Sequence, residues 1–192
     1  MKCLLCESYS FKHICNSCQQ TYLKPSLYKF KLTKNIEVIS FYKYDDIKQL
    51  LHTKHTNIGY YIFNILANNS FKKFAKAFQP NYILTSVAVD DNPKDLYSHT
   101  AILNHALKSK YIKPQHNTLK AKNKVNYSGK DRNFRLKNPR NFEINLSINQ
   151  QIILVDDIMT TGTTLLEAIH ILEKKGFEVA FCLVLVNVTH KS

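Results

Sequence analysis

An α/β fold on a parallel sheet, with a small cysteine-rich module ahead of it, is what this sequence predicts. Three observations carry the prediction. Residues 152–155 are four branched aliphatics in a row, the pattern of a strand buried on both faces. Residues 82–89 form a second apolar run that also opens into a polar turn and a helical stretch. Four cysteines stand as two Cys-x2-Cys pairs at the amino end.

Size and composition set the frame. The 192 residues can bury one proper core and a small appendage. A hydrophobic content of 44% with 21% charged residues describes a globular chain. No apolar run approaches the ~20 residues that span a bilayer, so no transmembrane segment is expected. The start, Met1-Lys2-Cys3-Leu4-Leu5-Cys6, is too short, and the residues after it are too polar, for a signal peptide. A cytoplasmic location is the default, with the inner face of the membrane as the other place considered. The net charge is +13, and residues 108–140 carry eleven Lys/Arg against one acid, Asp131. Such a block suits phosphate or nucleic-acid backbones; the competing reading is a solubilising excess of lysine.

Cys3, Cys6, Cys15 and Cys18 form two knuckles separated by eight residues. Four thiolates at that spacing close a tetrahedral structural zinc site, and so short a segment has no core of its own. A zinc-tetrathiolate would bring the charge to about +11. Disulfides or a redox role are the alternatives, and no export signal favours them. His13 is read as a loop residue and Cys182 as a small buried hydrophobe. Tyr22, Lys24, Tyr28, Lys29, Phe30, Lys31 and Lys34 interleave rings and cations. That suits single-stranded nucleic acid or a strand with aromatics turned inward. The module is placed over residues 1–35 and the main domain over 36–192.

Residues 36–42 read as a strand. Asp45 is a plausible N-cap for a helix bearing Ile47, Leu50 and Leu51, and residues 62–78 form one helical run that Pro80 ends. His52 and His55 read as surface residues. After the strand at 82–89, the turn from Ser86 to Lys94 is a candidate second anion site with Ser86, Val87 and Ala88 as its loop, at a strand tip where ligands bind in open α/β sheets. Capping is the simpler role for Asp90 and Asp91. A helix comes next, over about residues 96–110. Residues 120–140 read as a loop that orders on binding and leads to a short helix. They hold the DNA- or phosphate-binding candidates Lys120, Lys122, Lys124, Lys130, Arg132, Arg135, Lys137 and Arg140.

The strand at 150–155 runs into Asp156-Asp157-Ile158-Met159-Thr160-Thr161-Gly162-Thr163-Thr164, then a helix over 163–175 that Gly176 stops, then a strand over 178–186. The right-handed crossover makes those two strands parallel neighbours. Hydroxyls, successive backbone N–H groups and a helix N-terminus make a phosphate cradle. The two acids beside it suit ribose hydroxyls or a hard cation.

This run resembles the phosphoribosyl pyrophosphate (PRPP) signature of type I phosphoribosyltransferases. The resemblance implies that Thr160, Thr161, Gly162, Thr163 and Thr164 hold a ribose 5-phosphate. It also implies that Asp156 and Asp157 address the ribose hydroxyls and the shell of a Mg²⁺ that accompanies PRPP. Together with the cysteine knuckles, Tyr44, Ser86 and Arg135-x-x-Asn138 ahead of Phe142, the whole chain resembles the ComF (ComFC) family of competence proteins. The implied fold is a type I phosphoribosyltransferase-like domain with a four-cysteine zinc finger. The implied role lies in natural transformation, with single-stranded DNA, PRPP and other competence proteins such as a DNA helicase as partners. Members usually carry Pro-Val-Pro where this chain has Ser86-Val87-Ala88, and Arg-Gly-Phe-Asn where it has Leu96-Tyr97-Ser98-His99. Two functions are therefore expected: DNA handling with a bound phosphoribosyl ligand, or Mg²⁺-dependent phosphoribosyl transfer to a nitrogen nucleophile.

Overall fold

The computed structural model describes residues 1–90, 97–123 and 132–188. In chain order the elements are α1 (Asn16–Tyr22), β1 (Tyr28–Lys31), β2 (Glu37–Lys43), α2 (Tyr44–Leu51), α3 (Asn57–Asn69), α4 (Phe71–Ala77), β3 (Leu84–Ala88) and α5 (His99–Ala106). They continue with β4 (Ile112–Gln115), β5 (Leu119–Ala121), α6 (Arg132–Lys137), β6 (Phe142–Ile144), β7 (Ile152–Met159), α7 (Thr163–Lys174) and β8 (Val179–Asn187).

Among the described residues the main sheet has six strands in the order β1-β2-β8-β7-β3-β4. All neighbours are parallel except the edge pair β1–β2. β5 and β6 form a separate antiparallel ribbon. The fold is mixed α/β with a mostly parallel sheet, as the aliphatic runs predict.

Strand alternation divides the core into two layers. Ile153 and Val155 of β7 pack with Ile62, Phe63 and Leu66 of α3 and Leu103 of α5. Ile152 and Leu154 pack with Leu165, Ile169 and Leu172 of α7 and with Leu119 and Phe142 of the ribbon. At about 25 cal/mol per Å² of apolar surface, these layers are the main stabilising term.

Local chemistry explains where several boundaries fall. The helical run at 62–78 is two helices, because Ser70 leaves helical geometry at φ −114°, ψ −80°. Its hydroxyl turns back to donate to the Leu66 carbonyl at 2.6 Å. Lys43, not Asp45, is the N-cap residue of α2; Asp45 and Asp46 lie in its first turn, where they complement the dipole. Gly176 ends α7 at φ 84°, with its N–H on Glu173 and that of Phe177 on Leu172, a Schellman closure. β1 alternates half-buried aromatics with exposed lysines, the inward-aromatic reading of that stretch. Cys182 is fully buried in β8, and burial pushes its thiol pKa up.

The cysteine head shares the main core. Cys3, Ile14, Cys18 and Leu23 lie in the same cluster as α3 and β2. Tyr42 of β2 donates its hydroxyl to the Leu23 carbonyl at 3.2 Å. Asn69 at the end of α3 donates to Gln19 of α1 at 3.0 Å, and His13 lies against Tyr61 at 4.8 Å between ring centroids.

Candidate functional site

β7 is longer than its aliphatic run. It continues through both acids to Met159, paired with β8 at Asp156–Val184 and Ile158–Val186. β3 lies on its other side and pairs only as far as Ala88–Val155, so the two carboxylates stand where β3 has already turned away. Because successive strand residues face opposite sides, the adjacent acids point into different layers.

Asp157 faces the α3/α5 layer. Its Oδ2 accepts from Lys54 Nζ at 3.3 Å and lies 3.3 Å from His99 Nε2. Burial alone would raise this carboxyl, but Lys54 and then His99 outweigh it and hold the pKa at about 2. Lys54 is itself placed by packing. The Tyr97 hydroxyl donates to its carbonyl at 2.6 Å, and a Cβ at Gly59 would collide with Thr53 O and that hydroxyl. His99 opens α5, which Ser98 caps through a bond from Ala101 N.

Asp156 faces the α7 side and is half-buried. Desolvation, then the neighbouring Asp157 charge, pushes its pKa well up, against a smaller opposing pull from Arg140. Arg140 Nη1 makes a 2.6 Å ion pair with Asp90, whose other oxygen accepts from Ala121 N at 3.1 Å. Glu167 of α7 fixes the same corner by accepting from the Arg140 and Asn141 N–H groups at 3.1 and 2.8 Å. Asp90 thus anchors the ribbon and Arg140 rather than capping α5; its φ of 54° is one that Asp tolerates. Asp91 lies outside the described residues.

In the turn after β7, Gly162 and Thr163 are buried and Leu32 lies against Gly162. Gly162 sits at φ 72°, ψ −2° as N-cap of α7 and contributes no side-chain cap. Thr161 and Thr163 hydroxyls share a 2.8 Å hydrogen bond. Thr160 and Thr164 are half-buried beside them, with Thr161 exposed. With no side-chain cap on α7, its first-turn amides are the kind of donors that an anion satisfies.

The other expected site residues are scattered. Ser86, Val87 and Ala88 lie inside β3, each fully buried, so they belong to a strand and the chain leaves it only at Val89. Lys120 is half-buried on β5, and exposed Lys122 pairs with Glu143 at 3.8 Å. Arg132, Arg135 and Lys137 belong to α6. Lys124 and Lys130, like residues 91–94 of the second anion loop, lie outside the described residues.

At the head, the four sulfurs of Cys3, Cys6, Cys15 and Cys18 all lie within 4.8 Å of one another, and Cys6 and Cys15 are 3.8 Å apart. A tetrahedron with Zn–S bonds of about 2.3 Å has edges of about 3.8 Å, so the set fits zinc. Backbone N–H groups of Cys15 and Leu5 approach Cys3 Sγ at 3.3 and 3.5 Å. Burial opposes ionisation of Cys3, yet those bonds bring its pKa down to about 6, whereas burial and then the neighbouring sulfurs push that of Cys18 up.

Residues 100–192 match the family model of the phosphoribosyl transferase domain. The matched range takes in α5, β7, the threonine turn, α7 and β8, so the chain carries a domain of that type, joined to a four-cysteine cluster. No curated protein matches the sequence. Among solved structures a hypoxanthine phosphoribosyltransferase from Staphylococcus aureus is similar at 11% identity, over 68% of this chain and 75% of that one, with a TM-score of 0.36. No helix among the described residues is long and apolar enough to cross a membrane.

Lys54, Glu167 and the role of His99 escape a reading of the sequence. Lys54 is 103 residues from the carboxylate it partners, in a stretch with no motif. His99 gave one signal, by standing where the resembled family has an arginine-led motif.

Proposed function

We propose that the protein binds a PRPP-type ligand at residues 156–164 and, as a competence-type protein, handles single-stranded DNA. The observation that carries the ligand reading is the division of labour between adjacent acids beside an uncapped α7. Asp157 is tied to Lys54 and His99, which leaves Asp156 as the carboxylate for ribose hydroxyls. The amides and hydroxyls of Thr160, Thr161, Gly162, Thr163 and Thr164 then receive the 5-phosphate. Mg²⁺, when bound, would neutralise the diphosphate; it needs only one or two carboxylates because substrate phosphates and water complete its shell, and Asp156 suits that count. Residues 1–35 are the zinc-bearing module in this reading.

The DNA part rests on the positive charge of residues 108–140 and on the resemblance in the cysteine head. A second reading, transfer of the ribosyl group to a nitrogen nucleophile, is favoured by the match over residues 100–192.

Thermal unfolding with PRPP and Mg²⁺ tests the ligand reading, since a ligand at 100 times its Kd adds about 2.7 kcal/mol. The melting point is expected to rise with PRPP and, less strongly, with ribose 5-phosphate. No shift with either defeats the reading. Pyrophosphate release across a panel of bases separates transfer from binding.

A further inference from the structure

Far from the threonine turn, at the opposite end of α5, a cleft of about 260 Å³ opens between α3, α4 and α5. Its lining includes Asn68, Lys72, His105 and Lys108 together with the apolar Ala67, Ile102 and Ala106, which are buried or half-buried. Lys72, His105 and Lys108 are all exposed. Neither lysine has a carboxylate within ion-pair distance among the described residues. The reason lies in the sequence: residues 47–89 and 97–118, which hold α3, α4 and α5, contain eight lysines and no Asp or Glu. The acids of the domain's described part lie elsewhere, on α2, on α7, at both ends of the sheet's strands and on the ribbon.

We infer that this cleft is a phosphate-and-base subsite for single-stranded nucleic acid, engaged through Lys72 and Lys108. The inference rests on the proposed DNA handling and places that contact on the α3/α5 layer rather than on residues 120–140. Uncompensated lysines supply the phosphate contacts. The apolar lining of Ala67, Ile102 and Ala106 receives an unstacked base, which only a single strand presents. At about 260 Å³ the cleft falls just below the ~300 Å³ at the small end of ligand pockets, a size for one nucleotide and not for a duplex. Farther up α3, Tyr60 and Tyr61 are 47% and 54% exposed, and eight residues of helix from Tyr60 to Asn68 span about 12 Å. A strand seated in the cleft therefore reaches stacking surfaces along the same helix.

The test is fluorescence anisotropy of labelled single-stranded oligonucleotides over a salt series, with wild type and Lys72→Ala/Lys108→Ala. Losing two phosphate contacts should make the salt dependence shallower by about 1.4 in log–log slope and weaken binding about 25-fold at 0.1 M salt. Lys72→Arg/Lys108→Arg should restore it, and PRPP-induced thermal shifts should not change in either variant. If wild type binds oligonucleotide and the alanine variant binds equally well, the cleft is refuted while DNA handling stands. If wild type binds no oligonucleotide, both fall, and the PRPP shift still reports on the ligand site alone. Equal weakening of duplex and single-strand binding overturns the base-subsite assignment.

Discussion

The cysteine head and the threonine turn are both short motifs, yet they are completed in opposite ways. All four sulfurs of the head come from residues 3–18 and converge to within 4.8 Å of each other. The turn spans a comparable length, but its acids are set by Lys54, Asp90, His99, Arg140 and Glu167, drawn from other regions of the chain. A site whose candidate ligands all face inward can be completed by one metal ion. A site that faces outward depends on tertiary neighbours to fix its charge states. The head should thus fail as a unit, and the turn by degrees.

The largest effect expected is at the head. Cys3 and Cys18 are buried in the same cluster as α3 and β2, so replacing Cys18 with Ser removes a core anchor as well as a ligand of the proposed zinc, and chelation would remove the zinc itself. A loss of about 4 kcal/mol or more is expected, read as one cooperative shift in chemical denaturation. If only the head unravels and the sheet's transition does not move, the shared core is wrong.

Next comes Lys54→Ala, which leaves the buried Asp157 charge with His99 alone. A cost of about 1–3 kcal/mol is expected, together with weaker PRPP binding although Lys54 is not assigned a ligand contact. Gly162→Ala should cost about 1–2 kcal/mol for its left-handed φ. The added methyl comes within 2.6 Å of Leu32 Cδ1, a side-chain end that can shift. The smallest effect belongs to the exposed Lys122–Glu143 pair, where Lys122→Ala should stay within about 0.5 kcal/mol.

The pH dependence sharpens the contrast between the two acids. Asp157 has its folded pKa lowered to about 2. Its stabilisation is full above the unfolded value of about 3.9 and is lost as pH falls from there toward 2. Asp156 is shifted the other way, so its ionisation works against folding as pH rises through its raised pKa. Asp156→Asn should therefore raise the denaturation midpoint at neutral pH, on the order of 1 kcal/mol, whereas Asp157→Asn should lower it. Equal effects of the two substitutions would contradict their assignment to different layers.

Much of this was legible in the sequence for a physical reason. Runs such as Ile152 to Val155 encode a doubly buried strand by themselves, and Cys-x2-Cys pairs or a Thr-Thr-Gly turn encode their own geometry. The middle of the chain was less readable. The apolar run at 82–89 announced a strand, but that Ser86, Val87 and Ala88 stay paired inside it between β4 and β7 instead of forming an anion loop is something no local pattern states. Arg140, one of many basic residues in its stretch, differs from Lys122 only in that folding places it against Asp90. The bond of Lys54 to Asp157 is a product of topology alone.

The central claim is that the turn at 156–164 binds a phosphoribosyl ligand through Asp156 and the threonine cradle. Calorimetric titration of PRPP with Mg²⁺ into wild type and Asp156→Asn tests it most directly. Wild type should bind one equivalent. The variant, folded and no less stable, should bind at least about tenfold more weakly, the loss of one charge-assisted hydrogen-bond set. Equal affinity in the two proteins, or no binding by wild type, would contradict the account.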